Sequence, residues 1–468
     1  MVFDNLSSID IPGALLVDLT TVTLAIVLLL RYGRLSHSHP GTIYLFFHLY
    51  TFTFRLFGLL FGAETLFSEF QGFFEIVTHA EIVRAALLGD LSLAVMTVAW
   101  IKASGDDLKK AKHSPTAPVE GVATLSLRYI WIVVAIAFPL GVFGLLTFVN
   151  VPGLSAIQNA AEPGEWQSSN YFFILQVWAG LALLALIYWY GFRWWLLLPM
   201  GLYLLIMAYQ GYHRFRVIIP ILLLVQIFLD RRRLRWPPLY LSAVLVALIL
   251  IYFPLKGIGN MVQEGESVSE IVMTSTATVN QALAAKAPDQ YFLDEFACGL
   301  SLMDDAGHFY YGSTYLALVT LPVPRQWWPD KPGLADYLQD ISKPWRPMGE
   351  MGMIVTFLGE SYANFGYAGV VVIPFLLAYV LGRIYFHAYR SNYFTVARLS
   401  YLLIACNLIQ VYRDGLISVV VFTWVNMMPL MVIVLLHYVL PSGRKKKTPP
   451  AYATPDLHDS ALPEAKGH

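Results

Sequence analysis

The feature that most constrains this chain is a succession of apolar runs close to 20 residues long, continuous rather than alternating with polar positions. Backbone inside hydrocarbon must satisfy its own hydrogen bonds, and a helix of about that length does so while crossing the bilayer. Composition agrees: 57% of the 468 residues are hydrophobic and 13% are charged, with mean hydropathy +0.59. A soluble domain carries about a quarter charged residues. The expected fold is an all-α polytopic membrane protein of about eleven transmembrane helices, at 14–30, 42–62, 84–101, 128–149, 170–190, 194–209, 217–229, 238–255, 367–386, 399–412 and 416–438. The spans at 194–209, 217–229 and 399–412 are short, so they are expected to be broken, tilted or partly outside the bilayer. Residues 64–83 are aromatic but dotted with acids, which suits the interface rather than a span.

Orientation follows from Lys and Arg, which gather in cytoplasmic loops. With these spans, RYGRLSH (31–37), the stretch Lys102–Lys112, DRRRLR (230–235), Arg390–Arg398 and RKKK (444–447) all fall on one side. That side is expected to be the cytoplasm of a bacterial inner membrane, with the N-terminus periplasmic and the C-terminus cytoplasmic. The opening MVFDNLSSIDIPG lacks a basic region, so the first apolar run is expected to stay in the membrane rather than be cleaved as a signal peptide. The division expected is an N-terminal bundle of eight spans over 1–255, a large periplasmic loop over 256–351, three spans over 352–440, and a polar, Pro-rich, disordered cytoplasmic tail over 441–468. The loop is far longer than an ordinary connection, which marks it as functional or folded. It holds two amphipathic stretches, Val268–Ala287 and Leu300–Thr320, and the Pro/Trp-rich LPVPRQWWPDKPG (321–333).

Several classes are disfavoured. Net charge is zero, which gives no footprint for nucleic acid. Cys298 and Cys406 are far apart, so neither a disulfide nor a cysteine metal site is expected. There is no HExxH, no phosphate-binding Gly-rich loop, and no Asp/Glu cluster with metal-ligand spacing; no cofactor and no metal are expected.

The candidate chemistry lies in charges that break the membrane rule. Arg214 and Arg216 occupy QGYHRFR at the outer mouth of the seventh span, and Arg413 occupies VYRDG, an outer turn between the tenth and eleventh spans. Two of these spans run inward from helix N-termini, where free N–H groups favour an anion. A guanidinium adds a planar fork of donors suited to phosphate. The bland reading is that each Arg anchors to lipid headgroups or pairs with a loop acid. Asp414 is placed to cap the eleventh helix. Arg55, deep in the second span, is a third anion candidate, with Glu64 or Glu81 as its structural partner in the bland reading. An outward enzyme acting on a hydroxyl needs a base, and Asp304, Asp305, His308, Glu350 and Glu360 are available. Asp304 and Asp305, in DDAGH, read as solvated turn charges, and His308 reads more readily as structural than catalytic. Glu350 and Glu360 lie in GEMGMIVTFLGESYANFG, where the chain re-enters the membrane and an acid is costly. Trp327, Trp328 and Trp345, with Tyr362, are candidates to stack on sugar rings, although aromatics also form interfacial belts.

Over roughly its last 260 residues the chain resembles the Wzy-type oligosaccharide repeat-unit polymerases, the O-antigen and enterobacterial-common-antigen polymerases. The parts that carry the resemblance are YHRFRVIIPILLLVQIFLDRRR, the outer loop with LPVPRQWWPDKPG, GESYANFGYAGVVVIPFLLAYVLGRIY and YRDGL, in that order. The resemblance implies a metal-independent, membrane-embedded glycosyltransferase of the C type. Its substrates are sugars linked to undecaprenyl pyrophosphate, as both donor and acceptor, and it transfers the growing glycan onto the non-reducing end of a new lipid-linked unit. It also implies lipopolysaccharide assembly beside a chain-length regulator and a flippase. In that frame Arg214, Arg216, Arg413 and Arg55 hold pyrophosphate, and Glu360, His308 or Glu350 serves as base. No base can be aligned residue by residue. Rival readings are an O-antigen ligase using a lipid A core acceptor, a lipid-linked oligosaccharide transporter, and a non-catalytic assembly scaffold. A transporter is disfavoured by the lack of paired halves.

Overall fold

A computed structural model describes residues 10–63, 78–113, 126–149, 166–210, 215–252, 254–283, 291–320, 328, 356–390, 395–416 and 428–440. Sixteen α-helices account for nearly all of them, and no strand occurs among the described residues. In chain order they are α1 (Ile11–Leu28), α2 (Pro40–His48), α3 (Phe54–Leu60), α4 (His79–His113), α5 (Leu127–Val149), α6 (Trp166–Tyr190), α7 (Trp194–Gln210) and α8 (Phe215–Arg231). Then come α9 (Leu239–Tyr252), α10 (Leu255–Glu264), α11 (Val268–Leu283), α12 (Phe292–Ala306), α13 (Ser313–Thr320), α14 (Thr356–Ala388), α15 (Val396–Asp414) and α16 (Met428–Val439). A helix lies on each of the apolar segments, the last being described only from Met428.

Five helical stretches are long and apolar enough to cross a membrane: Ile11–Gly33, Pro40–Leu60, His79–Asp107, Leu127–Leu146 and Thr356–Ala388. Shorter apolar helices cover Leu175–Tyr190, Trp194–Tyr209, Leu239–Leu248 and Met428–Val439. Their outward faces are apolar: Leu16, Leu24, Ile136, Leu205, Leu239 and Leu376 are all exposed. Exposed apolar faces on this scale are what lipid, not water, covers.

Two cores hold the helices together. The first joins α1, α2, α3, α4, α12 and α14 around Trp100, Phe52, Leu56, Phe296 and Tyr362. The second joins α5, α6, α7, α8 and α16. Helix α15 belongs to both: Leu408 and Tyr412 enter the first core, and Leu399, Leu402 and Cys406 enter the second. Packing therefore crosses chain order, with α14 against α4 and α15 against α2. Helix α12, expected as part of an outer loop, is built into the first core with Leu293, Phe296, Ala297 and Leu300 fully buried.

The breaks do not fall in the three short spans, whose segments form the helices α7, α8 and α15. Two are π-helical turns, Leu29–Gly33 after α1 and Leu49–Thr53 between α2 and α3. The third lies inside α14, where Phe365 (φ −139, ψ 15) and Gly366 (φ 59, ψ −144) leave helical geometry. Gly366 is needed there, because a left-handed φ is strained for any side chain and a Cβ would also stand 3.0 Å from the Phe309 ring. Segment 356–364 is consequently a short half-helix, buried along its whole length. At membrane depth, broken helices persist where protein surrounds them or they line a cavity.

Four of the basic segments, 31–37, 102–112, 230–235 and 390–398, are joined by contacts, and 444–447 lie outside the described residues. Arg34 lies 3.5 Å from Asp107, on which Arg390 also closes. Arg235 donates to the Leu35 carbonyl at 3.1 Å. His37 and Arg398 flank Asp230 at 3.6 and 4.0 Å, and the Tyr389 hydroxyl donates to the same carboxylate.

Candidate functional site

The candidate site is assembled by α3, α4, α12, the half-helix of α14 and the last turn of α15. Glu360 sits one turn into the half-helix and is fully buried. Its Oε2 accepts the Leu416 backbone N–H at 2.6 Å, just past the end of α15. Gly415 makes that approach possible: a Cβ there would stand 2.0 Å from Glu360 Oε2, and its φ of 92° disfavours a side chain in any case. The half-helix is pinned through Asn364, which accepts from Gly312 N–H at 2.9 Å and donates to Thr314 Oγ1 and to the Glu360 carbonyl. Tyr310 and Tyr311 N–H donate to the Ala363 and Asn364 carbonyls, each at 3.0 Å.

Arg413 ends α15 beside this carboxylate turn, partly exposed. Its Nε is 3.5 Å from Asp414 Oδ1, and its guanidinium lies 5.3 Å from the Phe215 ring and 5.4 Å from the Phe292 ring. These contacts bring together the mouth of α8, the end of α15 and the start of α12. Asp414 was expected to cap the next helix. It accepts from Gln410 within its own helix; the start of the eleventh span, where the cap would fall, lies at residues 417–427, outside the described residues. Enclosure raises the Asp414 carboxyl above the usual carboxylate range, with Arg413 and Gln410 acting in the opposite direction.

Arg55 requires a correction as an anion ligand. Its fork is taken by a carboxylate: Nε donates to Asp294 Oδ2 at 2.7 Å and Nη2 to Oδ1 at 3.0 Å, with both side chains fully buried. The Tyr291 ring covers the guanidinium at 4.6 Å. The partner seen is Asp294 rather than Glu81, whose Oε1 accepts from Ser301; Glu64 lies outside the described residues. The pair fastens α3 to α12.

Asp304 and Asp305 are exposed, as expected, but Asp304 is also paired. Arg84 Nη1 donates to its Oδ2 at 2.6 Å, and the Tyr362 hydroxyl donates to its Oδ1 at 2.5 Å. Arg84 Nη2 closes the triangle on the Tyr362 oxygen at 2.8 Å. Nothing in the sequence order links residues 84, 304 and 362, and the spacing of Arg84 on a span end was the one available signal. Tyr362 is 2% exposed, edge-on to Phe309 and Tyr367, so in this state it has no open face for a sugar. His308 is exposed, and its Nδ1 lies 3.0 Å from the Ala306 carbonyl. Arg216 is partly buried near the start of α8. Trp328 is exposed. Arg214, Trp327, Trp345 and Glu350 lie outside the described residues.

The chain was compared with protein-family models, curated proteins and solved structures, and none matches.

Proposed function

We propose that this is a membrane-embedded glycosyltransferase that polymerises oligosaccharide repeat units carried on undecaprenyl pyrophosphate, at the periplasmic face of a bacterial inner membrane. In this reading the chain crosses eleven times, the end bearing the joined basic clusters is cytoplasmic, and the Glu360 end faces outward. Residues 256–351 supply α12 to the outward site. The acceptor sugar hydroxyl attacks the anomeric carbon of the donor glycan. The new glycosidic bond forms as the sugar–phosphate bond breaks, and undecaprenyl pyrophosphate departs with the bonding pair. Glu360 takes the hydroxyl proton. Arg413, with Arg216 and Arg214 at the neighbouring mouth, meets the charge on the leaving pyrophosphate, so no general acid and no metal is required.

The observation that carries the reading is a buried carboxylate on a broken half-helix, held against the turn that bears Arg413. An acid so placed in an apolar surrounding is costly and is characteristic of functional positions. The test uses purified full-length protein in detergent with lipid-linked repeat units from its own cells, with and without lipid A core. The reading predicts a ladder of longer lipid-linked glycans without lipid A core. Transfer solely to lipid A core would make it a ligase, and movement of lipid-linked units across proteoliposomes without new glycosidic bonds would make it a transporter.

A further inference from the structure

A second polar cluster lies inside the first core. Asp18 of α1, His48 of α2 and Asp90 of α4 are all buried and converge at one point. His48 Nε2 is 2.8 Å from Asp18 Oδ1 and 3.4 Å from Asp90 Oδ1. One ligand atom from each residue lies within 4.8 Å of the other two. His48 is the last residue of α2 before the π-helical turn, and its ring stacks on Phe52 at 4.7 Å. Among the described residues no Lys or Arg is ion-paired with either aspartate. Neither oxygen of Asp90 has a hydrogen-bond partner there, and Asp18 Oδ2 has none.

Two carboxylates facing one imidazole amount to a charge of −2 when the ring is neutral and −1 when it is protonated, in hydrocarbon surroundings. Each such buried ion costs several kcal/mol unless it is compensated. A single added proton cancels half of the larger charge and leaves carboxylate oxygens unsatisfied, whereas a divalent cation cancels all of it and gives those oxygens a partner. The donor set selects the kind of ion: imidazole with carboxylates suits zinc-class transition metals, whereas calcium and magnesium take oxygen alone. Two ligands of one tetrahedral zinc ion stand roughly 3.4 Å apart, close to the separations here.

We propose that Asp18, His48 and Asp90 form a binding site for a divalent zinc-class transition-metal ion that ties α1, α2 and α4 together in mid-bundle. Three protein ligands leave the fourth position open. His48 Nδ1 has no hydrogen-bond acceptor among the described residues, and loss of that outer support weakens metal binding by about 10–100-fold. The site is therefore expected to exchange its ion under chelation.

The test uses full-length protein in detergent, stripped with chelator and reloaded with Co²⁺ or Zn²⁺. The expected result is about one ion per chain, visible absorption of tetrahedral Co²⁺, and a metal-dependent rise in melting temperature. Asp90→Asn and His48→Gln should each lose the absorption and the rise while keeping wild-type helicity. Folded wild-type protein that takes up no ion, or variants that keep the absorption and the rise, would overturn the site. If a variant does not fold, X-ray absorption of the zinc-loaded wild type decides. One imidazole with carboxylate oxygens supports the site, and any shell with sulfur or two or more imidazoles places the metal elsewhere and overturns it. None of these readouts depends on sugar transfer.

Discussion

Replacing Arg55 with leucine should damage the fold much more than removing an interfacial anchor would. Arg55 and Asp294 are both fully buried and joined by two charge-assisted hydrogen bonds of 2.7 and 3.0 Å. Removing one partner strands the other charge in the core, which typically costs about 3–5 kcal/mol. At about 1.4 kcal/mol per factor of ten, that lowers the folding equilibrium by roughly two to three and a half orders of magnitude. Asp294→Leu should cost a similar amount, leaving the guanidinium stranded under Tyr291. The double variant Arg55→Leu/Asp294→Leu should recover most of the loss, because an apolar pair of similar volume often replaces a buried ion pair at little cost. The assay is unfolding in detergent followed by circular dichroism, run as a double-mutant cycle. Single variants as stable as wild type, or a double variant as unstable as the two singles added, would refute the buried-pair assignment. The cycle also separates roles: a well-folded double variant that has lost polymer formation would return Arg55 to substrate binding.

Three further outcomes follow. Gly415→Ala puts a Cβ 2.0 Å from Glu360 Oε2 at a left-handed backbone position, so it should displace the carboxylate and reduce polymer formation by at least 10-fold at near-normal membrane protein level; an unchanged polymer ladder on gel would contradict it. Arg413→Ala should abolish polymer formation with normal membrane protein level, and Arg413→Lys should restore only part of it, since a point charge lacks the two-pronged fork; full activity in the Ala variant would remove the pyrophosphate role. Reporters fused after Pro237 and after Arg444 should read cytoplasm and one fused after His308 periplasm; a C-terminus outside would reverse the orientation.

Helices were legible because hydrophobic runs near 20 residues announce themselves locally, and a helix lies on each. What sequence could not supply was which faces meet. Helix α12 alternates acids with apolar residues and reads as a surface loop element, yet its Asp294 is neutralised by an Arg more than two hundred positions away, which lets the whole turn be buried. Likewise, Asp304 is exposed as its sequence suggests, but its bonds to Arg84 and Tyr362 join positions far apart in the chain. The cluster proposed to bind a metal escaped for the same reason: Asp18, His48 and Asp90 have no local spacing, and each looks like one isolated charge in a span. Glu360 was legible, because an acid among glycines at the edge of an apolar run is conspicuous in sequence. Its hold on Leu416 N–H was not, since that needs the α14 break and the end of α15 to coincide.

The most direct test of the central claim is the single-turnover rate of glycosyl transfer by Glu360→Gln at saturating lipid-linked donor and acceptor. Glutamine keeps the size of the side chain and an acceptor oxygen for the Leu416 N–H but cannot take a proton. If Glu360 is the base, the chemical step should slow by about 10²–10⁴-fold while substrate affinity and melting temperature stay near wild type. A chemical step that proceeds at the wild-type rate in the variant would contradict the account.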